Sequence, residues 1–490
     1  MDVADYLLGC LALGLGLLPW VVAARRLARR LAPEWRGAEH ALAASILGIA
    51  GVVVVTELVG ICDGLRRWPW AIVSAVVALG VAGLGRAATG PRERGLSVPT
   101  DRGAQVMLGC VALCVVATSA ALLGRDAAVI RTGPLDADSL HYHLALAAQM
   151  VQAHNIDHLH QTASSDGSVH YPLDTELLSA VAMLGPHPDL GVFGLNLLFG
   201  WLALLACWVI GARWSRGAPT LAAGAAVLAL PIVSRASSGP GLNDIPSMAF
   251  LLSAIAALSL AGIPRDGKSR PAWIGELAVA GAALGLAAGT KLPLLPIVVV
   301  VALGVVVLAR GDRRVALSAL AVPALLTGGF WYIRDWIEVG SPTPELNLTI
   351  AGHGLHVVPY PELDAVAFPV THYLGDMAVI RHWFVPGLHA VWTAMWPLVA
   401  LVVVAGVIAA VAADRSRLRA LFGVVCAVGF VSYLVTPVGA QGPRGTPILF
   451  ASNTRYLLAT MLLAFALLAS SPRLTRFATW LTVGFTALTL

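Results

Sequence analysis

Apolar runs long enough to cross a bilayer as helices, roughly 20 residues each, recur along this chain, and nothing constrains its fold more. Fourteen can be read: 5–24, 40–62, 69–88, 104–124, 188–211, 218–235, 245–263, 272–290, 293–309, 314–333, 386–412, 418–437, 456–471 and 475–490. Backbone polar groups in lipid must be satisfied within their own segment, so each run is expected to be a helix. Only 12% of the 490 residues are charged and mean hydropathy is +0.80, where a soluble domain carries about a quarter charged residues. The expectation is an all-α polytopic membrane protein.

The flanks of these runs exclude several classes. Asp2 and Asp5 precede the first run and arginines follow it, the reverse of a cleavable signal peptide. The six cysteines (10, 62, 110, 114, 207 and 426) lie in or at the ends of runs, against a disulfide framework or a structural zinc site. The net charge of +5 is spread over short loops, which is no nucleic-acid signal.

Basic residues set the expected orientation. With the N-terminus outside, the segments 25–39, 86–103, 213–217, 264–271, 310–314, 413–419 and 472–476 face the cytoplasm and hold 22 of the 32 lysines and arginines. The outside then carries two long loops, 125–187 and 334–385, and shorter ones at 236–244 and 438–455, together with every histidine but His40. Loops of that length between spans are commonly functional. The expected location is a plasma or inner membrane, with the working face extracytoplasmic.

The first long loop opens with Asp136-Ala-Asp138-Ser-Leu-His141-Tyr142-His143, followed by an apolar stretch to Gln152 with helical spacing, as for a helix lying on the membrane surface. A carboxylate at that border is costly unless solvated, paired or used. The plainer reading is a solvated turn with Asp136 capping the helix that follows. Glu57 is an intramembrane acid, a suspect by default, but it lies apart in the first three spans.

Asp138-Ser-Leu-His141-Tyr142 resembles the acidic D-x-x-x-Y element of the GT-C glycosyltransferases, polytopic enzymes that include protein O-mannosyltransferases and aminoarabinose transferases. Four further stretches resemble that superfamily in the same order: His170-Tyr171-Pro172-Leu173; Gly285 to Lys291; Trp331-Tyr332-Ile-Arg334-Asp335 with Gly340-Ser-Pro342; and Asn453-Thr-Arg455-Tyr456. The resemblance covers about residues 105–470. It divides the chain into an added three-span unit, 1–103, and a GT-C-like module, 104–490. Asp335 departs from the asparagine usual there, and no large soluble domain follows the last span.

The resemblance implies inverting transfer of a sugar from a polyprenyl-phosphate donor to a glycan, lipid or protein acceptor. Such transfer needs a base for the acceptor and cations or donors for the departing phosphate. Asp138 is the candidate base, with Asp136 positioning the acceptor or a metal and Asp244, in Leu242-Asn-Asp244-Ile-Pro, as second acid or merely a helix cap. Lys291, Arg334 and Arg455 are candidates for the lipid phosphate, with Tyr456 or Tyr332 beside an arginine; snorkelling at the interface would also explain such cations. His141, Tyr142 and Tyr171 complete the expected substrate contacts. His141 with His143 and His158 with His160 invite a divalent metal, but His-x-His faces one side only on a strand, so no metal ligands are assigned. The second loop, with Pro342, Pro344, His353, His356 and His372, is expected to shape the acceptor side. Charge-poor spans count against a transporter or lipid flippase. A diphosphate-oligosaccharide ligase needs similar chemistry on the outer face, and a non-catalytic envelope scaffold would share the same apolar pattern.

Overall fold

Small residues decide how apolar helices meet in lipid, where no hydrophobic force drives helix against helix. The computed structural model describes residues 3–84, 102–133, 136–162, 167–186, 190–233, 241–264, 267–344, 349–350, 353–354, 365–414 and 416–471. The expected span at 475–490 and His356 lie outside them.

The chain opens with three helices, α1 (Val3–Leu31), α2 (Ala38–Ile61) and α3 (Arg67–Leu84). They interlock through two indoles. Trp20 donates to the Ser74 hydroxyl at 3.0 Å and Trp70 to Thr56 at 2.9 Å. Gly51 and Gly16 leave the room these rings fill. Interhelical bonds of this kind contribute about 0.6 kcal/mol each in a membrane.

Next come α4 (Arg102–Thr132), α5 (Leu144–Ala153), α6 (Asp174–Met183), α7 (Leu190–Phe193), α8 (Leu195–Ala212), α9 (Gly217–Ala229), α10 (Asp244–Ala261) and α11 (Arg270–Thr290). Every residue of α10 is buried, so this helix is the axis of the bundle. The later elements are α12 (Leu295–Leu308), α13 (Arg313–Gly328), α14 (Phe330–Val339), α15 (Met377–Ala412), α16 (Arg417–Val435) and α17 (Phe450–Ala469). A two-residue antiparallel ladder pairs Thr349 with Gly354 and Ile350 with His353.

The tightest crossing joins α11 and α13. Gly281, Gly285 and Gly289 recur every fourth residue along one face of α11. A methyl group on Gly281 would lie 2.2 Å from the Leu320 carbonyl oxygen, and one on Gly285 2.3 Å from that of Ala324. The two backbones touch, as small-residue spacing permits. The first three helices are packed onto this unit: a methyl on Gly275 would lie 2.0 Å from the Leu31 carbonyl oxygen.

Nine helices among the described residues are long and apolar enough to span a membrane, against fourteen expected. The expected spans 293–309 and 314–333 form one bent pair, Leu292–Leu308 and Arg310–Gly328, meeting at 118°. The expected 218–235 run shortens to the 13-residue α9. Periodicity finds apolar segments but cannot say where the chain bends within them. The chain is a multi-pass membrane protein.

Candidate active site

Asp138 leads into a π-helical turn, Ser139–His143, which continues directly into α5. Asp136 caps that turn, its Oδ1 accepting the Ser139 N–H at 2.8 Å. Its carboxylate is therefore in local use, in the capping role its position in the sequence allows. The Ser139 hydroxyl in turn accepts the Gly241 N–H at 3.1 Å, which seats the segment before α10 on this turn. Only glycine fits there: a methyl on Gly241 would sit 2.9 Å from the His143 Cβ. Asn243 then donates to the Thr290 carbonyl at 2.9 Å, tying the start of α10 to the end of α11. Extended backbone at Lys291 (φ −153°) stops α11 and turns that side chain out of the helix.

These ties bring together residues far apart in the sequence. Lys291 is ion-paired with Asp244, and Arg455, in the first turns of α17, is ion-paired with Asp138. The Arg455 Nε lies 4.0 Å from the second Asp244 oxygen, so the four charges form one chain. Tyr456 lies beside both cations, 5.1 Å from the Lys291 ammonium and 5.6 Å from the Arg455 guanidinium, measured to the ring centre. Trp392 donates to Thr454 at 3.0 Å and Asn453 to the Val438 carbonyl at 2.7 Å, which fixes the start of α17. The second long loop supports the same end: Phe384 stacks on Phe450 at 4.0 Å, and Ala440 donates to the Phe368 carbonyl at 2.8 Å.

Tyr142 closes one side, its ring 4.0 Å from that of His143 and 5.8 Å edge-on from Tyr171. Burial, then the Asp138 charge, pushes its phenol well above the usual range. Burial alone raises the Asp138 carboxyl, but the Arg455 guanidinium, by charge and hydrogen bond, holds it on balance below the usual carboxylate range; His143 and Lys291 add to this.

Sequence reasoning missed a second buried pair. His143 Nδ1 is bonded to Glu176 Oε1, both side chains almost fully buried, and the other Glu176 oxygen has no hydrogen-bond partner. The available signal was an acid two residues into the apolar stretch of α6. Two residues before it, Asp174 accepts from Trp331 Nε1 at 2.8 Å.

Two candidates are placed elsewhere. The His141 side chain is exposed. Arg334 is buried in a separate cluster: its Nη2 and Nε donate to Asp335 Oδ1 at 2.8 and 3.1 Å, and Nη2 also donates to the Val169 carbonyl. Asp335 Oδ1 lies 3.3 Å from His170 Nδ1, and Glu338 lies 3.8 Å from the Arg334 Nε. One donor atom each from His170, Asp335 and Glu338 lies within 4.8 Å of the others, a spacing a divalent metal accepts. Arg334 already engages both carboxylates, and its charge opposes a second cation there. A small, mostly apolar cavity between α4, α8, α9 and α10 is lined by Val115, Leu122, Trp201, Leu228 and Ile245, the last next to Asp244 in sequence.

A multi-pass helical bundle with acids and bases paired at the ends of its helices is the class that fold and site define. Residues 170–320 match the family model of dolichyl-phosphate-mannose-protein mannosyltransferases, so that stretch is similar to the group its motifs resemble. Among solved structures, the crystal structure of ArnT from Cupriavidus metallidurans bound to undecaprenyl phosphate superposes with a TM-score of 0.44 at 18% identity, over 74% of this chain. This chain spans 60% of that structure's length. No curated protein matches the chain significantly.

Proposed function

We propose that the chain is a membrane glycosyltransferase of GT-C type that moves one sugar from a polyprenyl-phosphate donor to an acceptor on the extracytoplasmic face, with inversion. The observation that carries this reading is the chain of four charges, Asp138–Arg455–Asp244–Lys291, beside Tyr456. The match of residues 170–320 to a family named for a dolichyl-phosphate-mannose donor supports the choice of donor.

In this reaction Asp138 takes the proton of the acceptor hydroxyl. The acceptor oxygen attacks the anomeric carbon from the face opposite the phosphate. The bond from that carbon to the phosphate oxygen breaks, and its electron pair leaves with the polyprenyl phosphate. Lys291 and Arg455 stabilise the negative charge that collects there, acting in a site with little water. Asp244 holds Lys291 in position, and Tyr142, Tyr171 and Tyr456 form the walls. Arg334 is no part of this set because it belongs to the separate cluster with Asp335, His170 and Glu338.

The test is turnover of radiolabelled polyprenyl-phosphate sugar by the purified protein, with Asp138→Asn alongside. Loss of a positioned base is expected to lower the rate on the order of 10²–10⁴-fold. Full activity in the variant removes Asp138 as the base. No turnover with any such donor, together with substrate flux in liposomes, replaces the enzyme with a transporter.

A further inference from the structure

Both cations that the proposed reaction needs for phosphate are already engaged. Arg455 is bonded to Asp138, Lys291 to Asp244, and the Arg455 Nε lies 4.0 Å from Asp244. The four charges cancel, and Lys291 and Asp244 are almost wholly buried. An anion entering this site meets two carboxylates as well as two cations. Its phosphate can bind tightly only by drawing the guanidinium and the ammonium away from those carboxylates.

Resting on the glycosyltransferase reading, we propose that the donor phosphate itself activates the base: by taking Arg455 and Lys291 into its own ion pairs it releases Asp138, which only then accepts the acceptor's proton. The order of events follows. Donor binds first and acceptor is deprotonated second, so the site does not extract protons from hydroxyls when no donor is present.

The groups around Asp138 set the sign. It is influenced by Arg455, His143 and Lys291 as positive or proton-bearing neighbours and lies near the phenols of Tyr142 and Tyr456, with Asp244 on the far side of Arg455. Without donor, Arg455 makes Asp138 a weak base. With donor, the Arg455 charge is spent on phosphate and a new negative charge stands nearby. Burial and that charge then both favour the protonated carboxyl. A stronger base takes a proton from an alcohol more readily. By linkage, a ligand that raises the proton affinity of a carboxyl binds more tightly as pH falls toward that carboxyl's range.

The test is isothermal titration calorimetry on the full-length protein in nanodiscs. The probe is farnesyl methyl phosphate, a phosphodiester with no titrating proton in the working range, so any proton exchanged belongs to the protein. Titrations run at about pH 5 and about pH 7.5, in pairs of buffers with different ionisation heats. The expected result is binding about tenfold tighter at the lower pH, one pKa unit of coupling, with net proton uptake. Asp138→Asn is expected to bind the probe at least as tightly as wild type at the higher pH, because a competing carboxylate is gone, and to take up fewer protons on binding than wild type, the remainder belonging to Asp244, which loses Lys291 in the same step. Equal affinity at both pH values without proton uptake in the wild type overturns the inference and leaves the donor reading standing. Proton uptake by Asp138→Asn equal to that of wild type also overturns it. Absence of binding at either pH removes the donor reading, and the inference with it.

Discussion

Gly241→Ala probes the joint between the two acidic segments of the site. The new methyl would lie 2.9 Å from the His143 Cβ and 3.0 Å from both Leu144 Cγ and Ser139 Oγ. Carbon atoms rest about 3.5–4.0 Å apart, so something must yield by about 0.6–1 Å. His143 is held from behind by Glu176, and Leu144 is the first residue of α5. The segment 241–244 is therefore the part that moves, and it carries Asp244 away from Lys291 and from Arg455. Misplacement by about 1 Å in an active site costs on the order of 10²-fold in rate. Overpacking costs stability as well, about 1–3 kcal/mol. The assay pairs turnover of labelled polyprenyl-phosphate sugar with thermal unfolding of the same sample. Gly80→Ala on α3, where a methyl meets nothing within 4 Å, is the control and should retain full turnover. A Gly241→Ala protein with wild-type turnover would falsify the idea that this contact sets the spacing of the two acids.

Three further outcomes follow from the same contacts. Asp138 is held below the usual carboxylate range, so its pair with Arg455 contributes stability above the unfolded value of about pH 4, and that contribution disappears as pH falls through the lower folded value; the Tm gap between wild type and Asp138→Asn should be level near neutrality and close only in strong acid, and a gap that closes near neutrality contradicts this. Glu176→Gln weakens the buried bond to His143 and is expected to lower stability by about 1–3 kcal/mol in thermal unfolding; an unchanged Tm shows that the pair adds nothing to stability. Arg334→Ala leaves the buried Asp335 with only His170 beside it and should cost stability, up to about 3–5 kcal/mol, while phosphodiester affinity stays unchanged in calorimetry; weakened affinity at unchanged Tm would return Arg334 to the phosphate site.

Much of the candidate site was legible residue by residue, yet its wiring was not. Asp138, Asp244, Lys291, Arg455 and Tyr456 stand at the ends of apolar runs, where a charge or phenol needs a reason to be. Their pairing was invisible, since Asp138 and Arg455 are 317 positions apart. Arg334 looked equivalent to Lys291 and Arg455 by the same criterion; only folding shows that it joins Val169, Asp335 and Glu338 in a separate cluster. His143 was read only beside His141, as a metal-inviting pair, and Glu176 not at all, because a histidine and an acid 33 positions apart carry no joint signature until folding buries them against each other.

The membrane class, and which stretches are apolar enough to lie in lipid, follow from the sequence alone, because water and hydrocarbon sort residues by type without reference to any partner. Which helix meets which, where 292–328 bends, and how two acids and two bases close into one chain of charges belong to the tertiary structure. The physical reason is that helices apolar on every side carry no stripe that marks an inner face. Close glycine contacts such as those between α11 and α13, which depend on both partners at once, choose among the packings that hydrophobicity leaves open.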